Sequence, residues 1–217
     1  MRQCVLSVLL WVGPALVLGA DPATVEFESL PGPRMEGGRP LMEVLRDRQS
    51  TRELSADPVS REQLADLLWA GFGVNRPQTG QRTAPCTMNL RSIDIYVVTA
   101  EGAYRYDAEA HRLVVVSRQD VRTLTGGQDY VKVAPVALLY VADDARLATK
   151  VEQPAERSFY AAVDAGLIAE NVYLCCASEG LGCVIHMPGD RTALSQALGL
   201  RPDQQVVLAH SVGHPAK

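Results

Sequence analysis

The sequence has 217 residues, a formal net charge of −4 and 6% aromatic residues. That length suits one globular domain behind a short N-terminal segment. The acidic balance argues against a nucleic-acid partner, because phosphate-tracking surfaces are usually basic. Five cysteines with no CxxC pair argue against a zinc ribbon or a thioredoxin-like motif.

Residues 1–20, "MRQCVLSVLLWVGPALVLGA", combine an early arginine, a short apolar run and a small-residue end at Gly19-Ala20. This pattern predicts a secretory signal peptide cleaved near Ala20, and hence an exported, periplasmic or secreted protein with no stable membrane anchor. Pro14 interrupts the run, which is too short for a spanning helix. An oxidising compartment permits disulfides among Cys86, Cys175, Cys176 and Cys183. Adjacent Cys175 and Cys176 cannot easily pair with each other. Residues 21–39 are rich in Pro, Gly and acids and read as an extended arm or linker, leaving 40–217 as the domain.

A first helix is expected from about Pro40 through Gln49. A second follows Ser60, where Gln63 completes a capping box and Leu64, Leu67, Leu68 and Phe72 fall at helical spacing. Residues 76–92 form a long polar loop of the kind that often binds ligands. Strand alternation marks 93–99, and 104–117 reads as a hairpin turning at Asp107–Ala110. Residues 135–143 are continuously apolar, as in a strand buried on both faces. Arg157–Glu179 reads as a long helix, apolar nearly all round, with neighbours on every side or a partner subunit. Gly180 closes it. A strand at 183–187, a helix at 190–200 and a last strand at 204–215 complete an α+β layered domain.

Three stretches carry candidate chemistry. "RDRQSTREL", 46–54, sets three arginines within seven positions, with Gln49, Ser50 and Thr51 between them. Guanidinium binds phosphate through paired hydrogen bonds, although a solvated helix end would look the same. "TAPCTMNL", 83–90, can offer backbone groups to the edge of a planar ring, or be an ordinary loop. Asp164 and Asn171 lie seven apart on one helix face, with Gly166 between them. His210 and His214 have H-x₃-H spacing but no paired cysteines, so no metal site is expected. There is no G-x-S-x-G, GxGxxG or Walker motif.

In this order and spacing, these stretches resemble the nitroreductase-like family of FMN-dependent oxidoreductases over about residues 40–215. "DRQSTREL" resembles the family's R-x-S-x-R motif. "RTAPCTMNLRSIDIYVV" resembles its P-S-x-x-N-x-Q-P loop and strand. "DAGLIAENVYLCCASEGLG" resembles its D-x-G-x-x-x-Q-N helix with a GLG exit, and "SVGHPA" its G-Y-P close. The hairpin "YRYDAEAHRLVVV" and "TGGQDYVKVAPVALLYVAD" are similar to the branch that oxidises azolines in peptide-modifying complexes.

The resemblance implies an α+β fold with a mixed sheet flanked by helices, in an intertwined homodimer with two FMN sites at its interface. It implies a ping-pong reaction between a small-molecule donor, usually NAD(P)H, and a small-molecule acceptor. On the same grounds Arg48 would hold the FMN phosphate, Gln49 and Ser50 the ribityl chain or phosphate, and Arg52 the pyrimidine edge. Pro85, Cys86, Thr87 and Asn89 would touch the ring or its edge, and His186 and Met187 would lie near its N5 side. The chain departs from the pattern with Cys86 for Ser, Arg91-Ser92 for Gln-Pro, Glu170 for Gln, and Met187-Pro188 where small or acidic residues are usual. No basic segment follows "SVGHPA", which puts more of the phosphate on Arg48 and Arg52. A non-catalytic relative, flavin-binding or flavin-free and acting as a partner subunit, is the alternative.

Overall fold

The computed structural model describes residues 25–216, so the expected leader and its cleavage point lie outside it. In chain order the elements are β1 (Phe27–Ser29), α1 (Leu41–Asp47), α2 (Arg61–Phe72), β2 (Val74–Arg76) and β3 (Gln81–Arg82). A 3₁₀ turn at Thr87–Asn89 leads to β4 (Ile93–Thr99), β5 (Gly102–Asp107) and β6 (Arg112–Ser117). A second 3₁₀ turn, Arg122–Leu124, precedes α3 (Asp129–Val133), β7 (Val136–Asp143), α4 (Asp144–Ala148) and α5 (Pro154–Glu179). β8 (Gly182–His186), α6 (Arg191–Ala197) and β9 (Gln204–Gly213) close the chain.

Seven strands form one sheet in the order β1-β6-β5-β4-β7-β9-β8, and β2-β3 is a separate hairpin. Each ladder among the described residues runs antiparallel. β7 is an interior strand, buried at every residue. Alternation sends Leu138 and Tyr140 into the core under α2 and α5, and Leu139 and Val141 into the core under α6. Burial on both faces is why this strand reads as one apolar run. The frame is the α+β arrangement that the motifs imply.

Local signals explain most boundaries. Ser60 Oγ accepts the Gln63 N–H at 3.1 Å, and Gln63 Oε1 accepts the Ser60 N–H at 2.9 Å, so α2 starts on a complete capping box. α5 opens on Pro154 and ends at Gly180, whose φ of 71° is left-handed and suits a residue without Cβ. α1 stops at Asp47, two residues sooner than expected, because Arg48 turns extended at φ −56° and ψ 125°. The hairpin turn falls at Ala108–His111, one residue beyond the expected place. The long loop begins at the last residue of β2 and contains β3 and the first 3₁₀ turn. Part of the arm joins the sheet, since Phe27 of β1 pairs with Val114 of β6. Arg34 then ties the arm to Asp66 at 2.6 Å and to Glu179 at 2.5 Å.

Within the described residues, α5 has neighbours on one side only. Ala161, Asp164, Ala165, Ile168, Ala169, Val172, Tyr173 and Cys176 are buried along one face. The other face is open within the chain, with Phe159 64%, Val163 41% and Leu167 40% exposed. A Cβ added at Gly166 would meet nothing within 4 Å. The helix is apolar on both sides but covered on one.

Candidate functional site

The expected site residues fall into two groups on this chain. The first gathers at the C-terminal half of α5. Because α1 ends early, Arg48 turns extended, and the Thr51 N–H donates to the Cys183 carbonyl of β8 at 2.8 Å. The Ser50 and Tyr173 hydroxyls lie 2.9 Å apart. The same Tyr173 oxygen accepts the Ile185 N–H at 2.9 Å, so one phenol joins the segment to the helix and to β8.

The arginines of the cluster differ. Arg46 is 70% exposed along its side chain and bound to Asp47 at 2.9 Å. The Arg48 guanidinium lies 5.3 Å from the centre of the Tyr173 ring, a cation–π distance. Neither Arg48 nor Arg52 makes an ion pair among the described residues. Gln49, Ser50 and Arg52 are exposed. Arg52 acts electrostatically on Tyr130, whose ring meets His186 edge-on at 5.6 Å.

His186 and Met187 stand at the end of β8, on the same side as this group. His186 is buried, with Nε2 3.0 Å from Ser211 Oγ and Nδ1 3.0 Å from the Met187 carbonyl. Burial pushes its imidazole pKa below the ordinary value. Both ring nitrogens are engaged, so His186 supports the strand end rather than reaching outward. Met187 is 59% exposed.

The second group surrounds Asp164, toward the other end of α5. The Thr87 N–H reaches the two carboxylate oxygens at 2.9 and 3.1 Å, and the Thr87 hydroxyl donates at 2.9 Å. The Ser92 hydroxyl adds a longer contact of 3.5 Å. Burial raises the Asp164 pKa against these bonds, which favour its charged form. The Thr87 hydroxyl is therefore turned into the protein, while Pro85 and Asn89 are exposed. Burial also raises the Cys86 thiol, which argues against a thiolate nucleophile there. Met88, Asn89 and Arg91 have φ of 48°, 56° and 51°, an uncommon run of left-handed residues. Such conformations persist only where surrounding contacts enforce them, and Asp164 anchors the flanking Thr87 and Ser92.

Asp164 and Tyr173 are nine residues apart, about 13 Å along a helix. One chain therefore brings Arg48, Gln49, Ser50, Arg52, His186 and Met187 to one place, and Pro85, Cys86, Thr87 and Asn89 to another. Tyr173 and Tyr130 were not expected at the site. In sequence each is an aromatic in an apolar or short helix, and no spacing distinguishes such a phenol from a core residue.

The model of the Nitroreductase family matches residues 45–214. A Methanocaldococcus jannaschii protein, named as a nitroreductase, is 32% identical over 155 residues, 66% of this chain and 76% of that protein. The NADPH-flavin oxidoreductase of Vibrio harveyi is 28% identical over 181 residues, 80% of this chain. This chain spans 65% of that enzyme's length. Among solved structures, a Ralstonia eutropha JMP134 protein, also named as a nitroreductase, superposes with a TM-score of 0.83 at 40% identity, covering 88% of this chain and 90% of its own. The NADPH:FMN oxidoreductase of Vibrio harveyi, complexed with NAD+, superposes at 0.58 with 26% identity, covering 82% and 69%. With the family match spanning both groups of site residues, the chain belongs to the nitroreductase family.

Proposed function

We propose that this chain is an FMN-dependent oxidoreductase that works as an exported homodimer on small-molecule donors and acceptors. The observation that carries the reading is the pair Arg48 and Arg52. They are cations on an accessible segment with no carboxylate partner among the described residues, whereas neighbouring Arg46 is neutralised by Asp47. A phosphate dianion fits that vacancy of charge.

Arg48 would bind the phosphate, held in place by the Tyr173 ring. Gln49 and Ser50 would meet the phosphate or ribityl chain, and Tyr173 fixes the Ser50 hydroxyl. Arg52 would stand at the pyrimidine edge, where positive charge stabilises an anionic ring. Met187 would cover the N5 side, with His186 behind it. Pro85, Cys86, Asn89 and the Thr87 backbone would come from a second copy. FMN held by these residues would supply the redox chemistry, hydride transfer between a donor such as NAD(P)H and an acceptor in ping-pong order.

The two-group arrangement supports the dimer. A two-fold axis near the middle of α5 would cover the exposed Phe159, Val163 and Leu167. It would also set the Asp164 end of one copy toward the Tyr173 end of the other. The leader-like residues 1–20 support export, and intact-mass analysis from the producing cell should find a new N-terminus near Asp21.

The absorption spectrum of purified protein supplied with FMN tests the flavin reading. A yellow species bleached by dithionite, with turnover on NADH or NADPH, is expected. A folded protein that stays colourless would overturn it, and a yellow protein inert to a wide donor panel would overturn the catalytic part.

A further inference from the structure

The core beneath the Arg48–Thr51 segment holds two free cysteines that the flavin reading does not use. Cys176, on the last turns of α5, is 0% exposed and Cys183, on β8, is 1% exposed. The left-handed Gly180 turns the chain back, and the two thiols line one cleft beneath that segment. Strand register adds a third group. Ile185 lies opposite His210 and Cys183 opposite Val212, so the pleat sets Cys183 and His210 on one face of the sheet. The His210 ring lies 4.7 Å from the Tyr173 ring. Its Nδ1 is 3.0 Å from the Tyr140 hydroxyl, while its Nε2 is buried without a hydrogen-bond partner among the described residues.

A cleft of about 160 Å³ leads to the pair, lined by Gln49, Thr51 and Pro215 toward its mouth and by Tyr173, Cys176 and Cys183 within. The two sulfurs are not equivalent. The neighbouring Cys176 side chain holds the Cys183 thiol below its ordinary pKa, opposed by burial and helped by His210 and Arg48. Burial drives Cys176 the other way. An attacking thiolate beside a protonated partner is the asymmetry of reactive dithiols. Cys175 differs: burial pushes its thiol to about 12, and it lines another groove with Asp66 and Glu179.

We propose that Cys176 and Cys183 form a peroxide-oxidisable dithiol, which closes to a disulfide and ties the end of α5 to β8 under the candidate flavin segment. Hydrogen peroxide is small enough for the cleft. The Cys183 proton passes to His210 Nε2. The thiolate attacks one peroxide oxygen, forming S–O and breaking O–O, and the hydroxide released takes the proton back from His210 as water. The Cys176 sulfur then attacks the Cys183 sulfenic acid. The S–S bond forms, S–O breaks, and hydroxide leaves with the Cys176 proton as a second water. Two electrons pass from the dithiol to peroxide. The link would lie one turn past Tyr173 and at the strand residue whose carbonyl holds Thr51, so it stiffens the floor of that segment.

The test uses the full chain, with or without FMN, and so stands or falls apart from the flavin reading. The protein is treated with hydrogen peroxide, alkylated, and cleaved after glutamate without reduction. Cleavage at Glu170 and Glu179 places Cys175 and Cys176 on one peptide, 171–179, and Cys183 on the next. The expected result is a cross-link between those peptides and a loss of two free thiols per chain. The link should persist in Cys175→Ser and vanish in Cys176→Ala and in Cys183→Ser. Should either of those two misfold, the Cys175→Ser result decides by itself, since its link can only run through Cys176. Unchanged thiol content after peroxide, or a link that disappears in Cys175→Ser, would overturn the proposal.

Discussion

At the scale of the residue, the sharpest distinction is between Arg46 and Arg48. They are two positions apart, yet one is bound to Asp47 and exposed while the other lies over an aromatic ring without an acid. Truncating one member of a desolvated charge pair typically costs about 2–5 kcal/mol, because its partner is left unpaired. For a phosphate held by Arg48 that is roughly 30-fold to several thousand-fold in affinity. Arg48→Ala should therefore purify folded but pale, Arg46→Ala should stay yellow, and Arg48→Lys should recover only part of the binding. FMN dissociation constants from fluorescence quenching check this; equal constants for Arg48→Ala and the parent would remove the phosphate role. Asp164 makes a second case. Asp164→Ala leaves the Thr87 N–H without its acceptor and should cost about 1–3 kcal/mol. The parent's folded carboxyl holds its proton more tightly than an unfolded one. Its stability contribution is therefore full below the ordinary carboxylate range and is lost as pH rises through the raised value. Asp164→Asn lacks this loss, so urea midpoints should show the parent falling relative to the variant over that rise. Parallel curves would contradict the assignment.

At the scale of the element, α2 and α5 show how much a helix owes to its ends. The α2 box satisfies two N–H groups that a helix start otherwise leaves open. Ser60→Ala should lower stability by about 1 kcal/mol in denaturant melts, with flavin binding unchanged because α2 carries no site residue. A loss of flavin without a loss of stability would show that α2 acts on the site. α5 has a different task. Its buried face packs on α2 and the sheet, while Asp164 and Tyr173 on that face reach two separate segments. The helix thus works as a ruler that sets two loops about 13 Å apart.

At the scale of the whole molecule, that separation and the open apolar stripe have one joint consequence. If a second copy covers Phe159, Val163 and Leu167, it completes each site with the other's Pro85–Asn89 segment. Leu167→Glu should place a charge at the centre of that contact. Light scattering at micromolar concentration should then report monomer, and the same protein should lose FMN although Arg48 is intact. A flavin-loaded dimer in this variant would place the interface elsewhere. The coupling of the two losses matters, because a stripe serving only solubility or crystal contacts would not move the flavin.

The amino-acid sequence by itself determined what a few neighbouring residues can encode. It marked the capped start of α2, the glycine stop of α5, the doubly buried β7, and the ordered motifs that led to the family. Each is a signal confined to a turn or to the period of one element. Tertiary structure alone decided the rest. Ser50 meets Tyr173 across 123 positions and Thr87 meets Asp164 across 77, and no local pattern announces either pairing. Packing also decided that α1 stops at Asp47, that Phe27–Ser29 becomes an edge strand, and which side of α5 stays open. The physical reason is the same throughout. Propensity and capping act within a turn, whereas the direction of a phenol, a thiol or a carboxylate depends on which distant surfaces must be buried together.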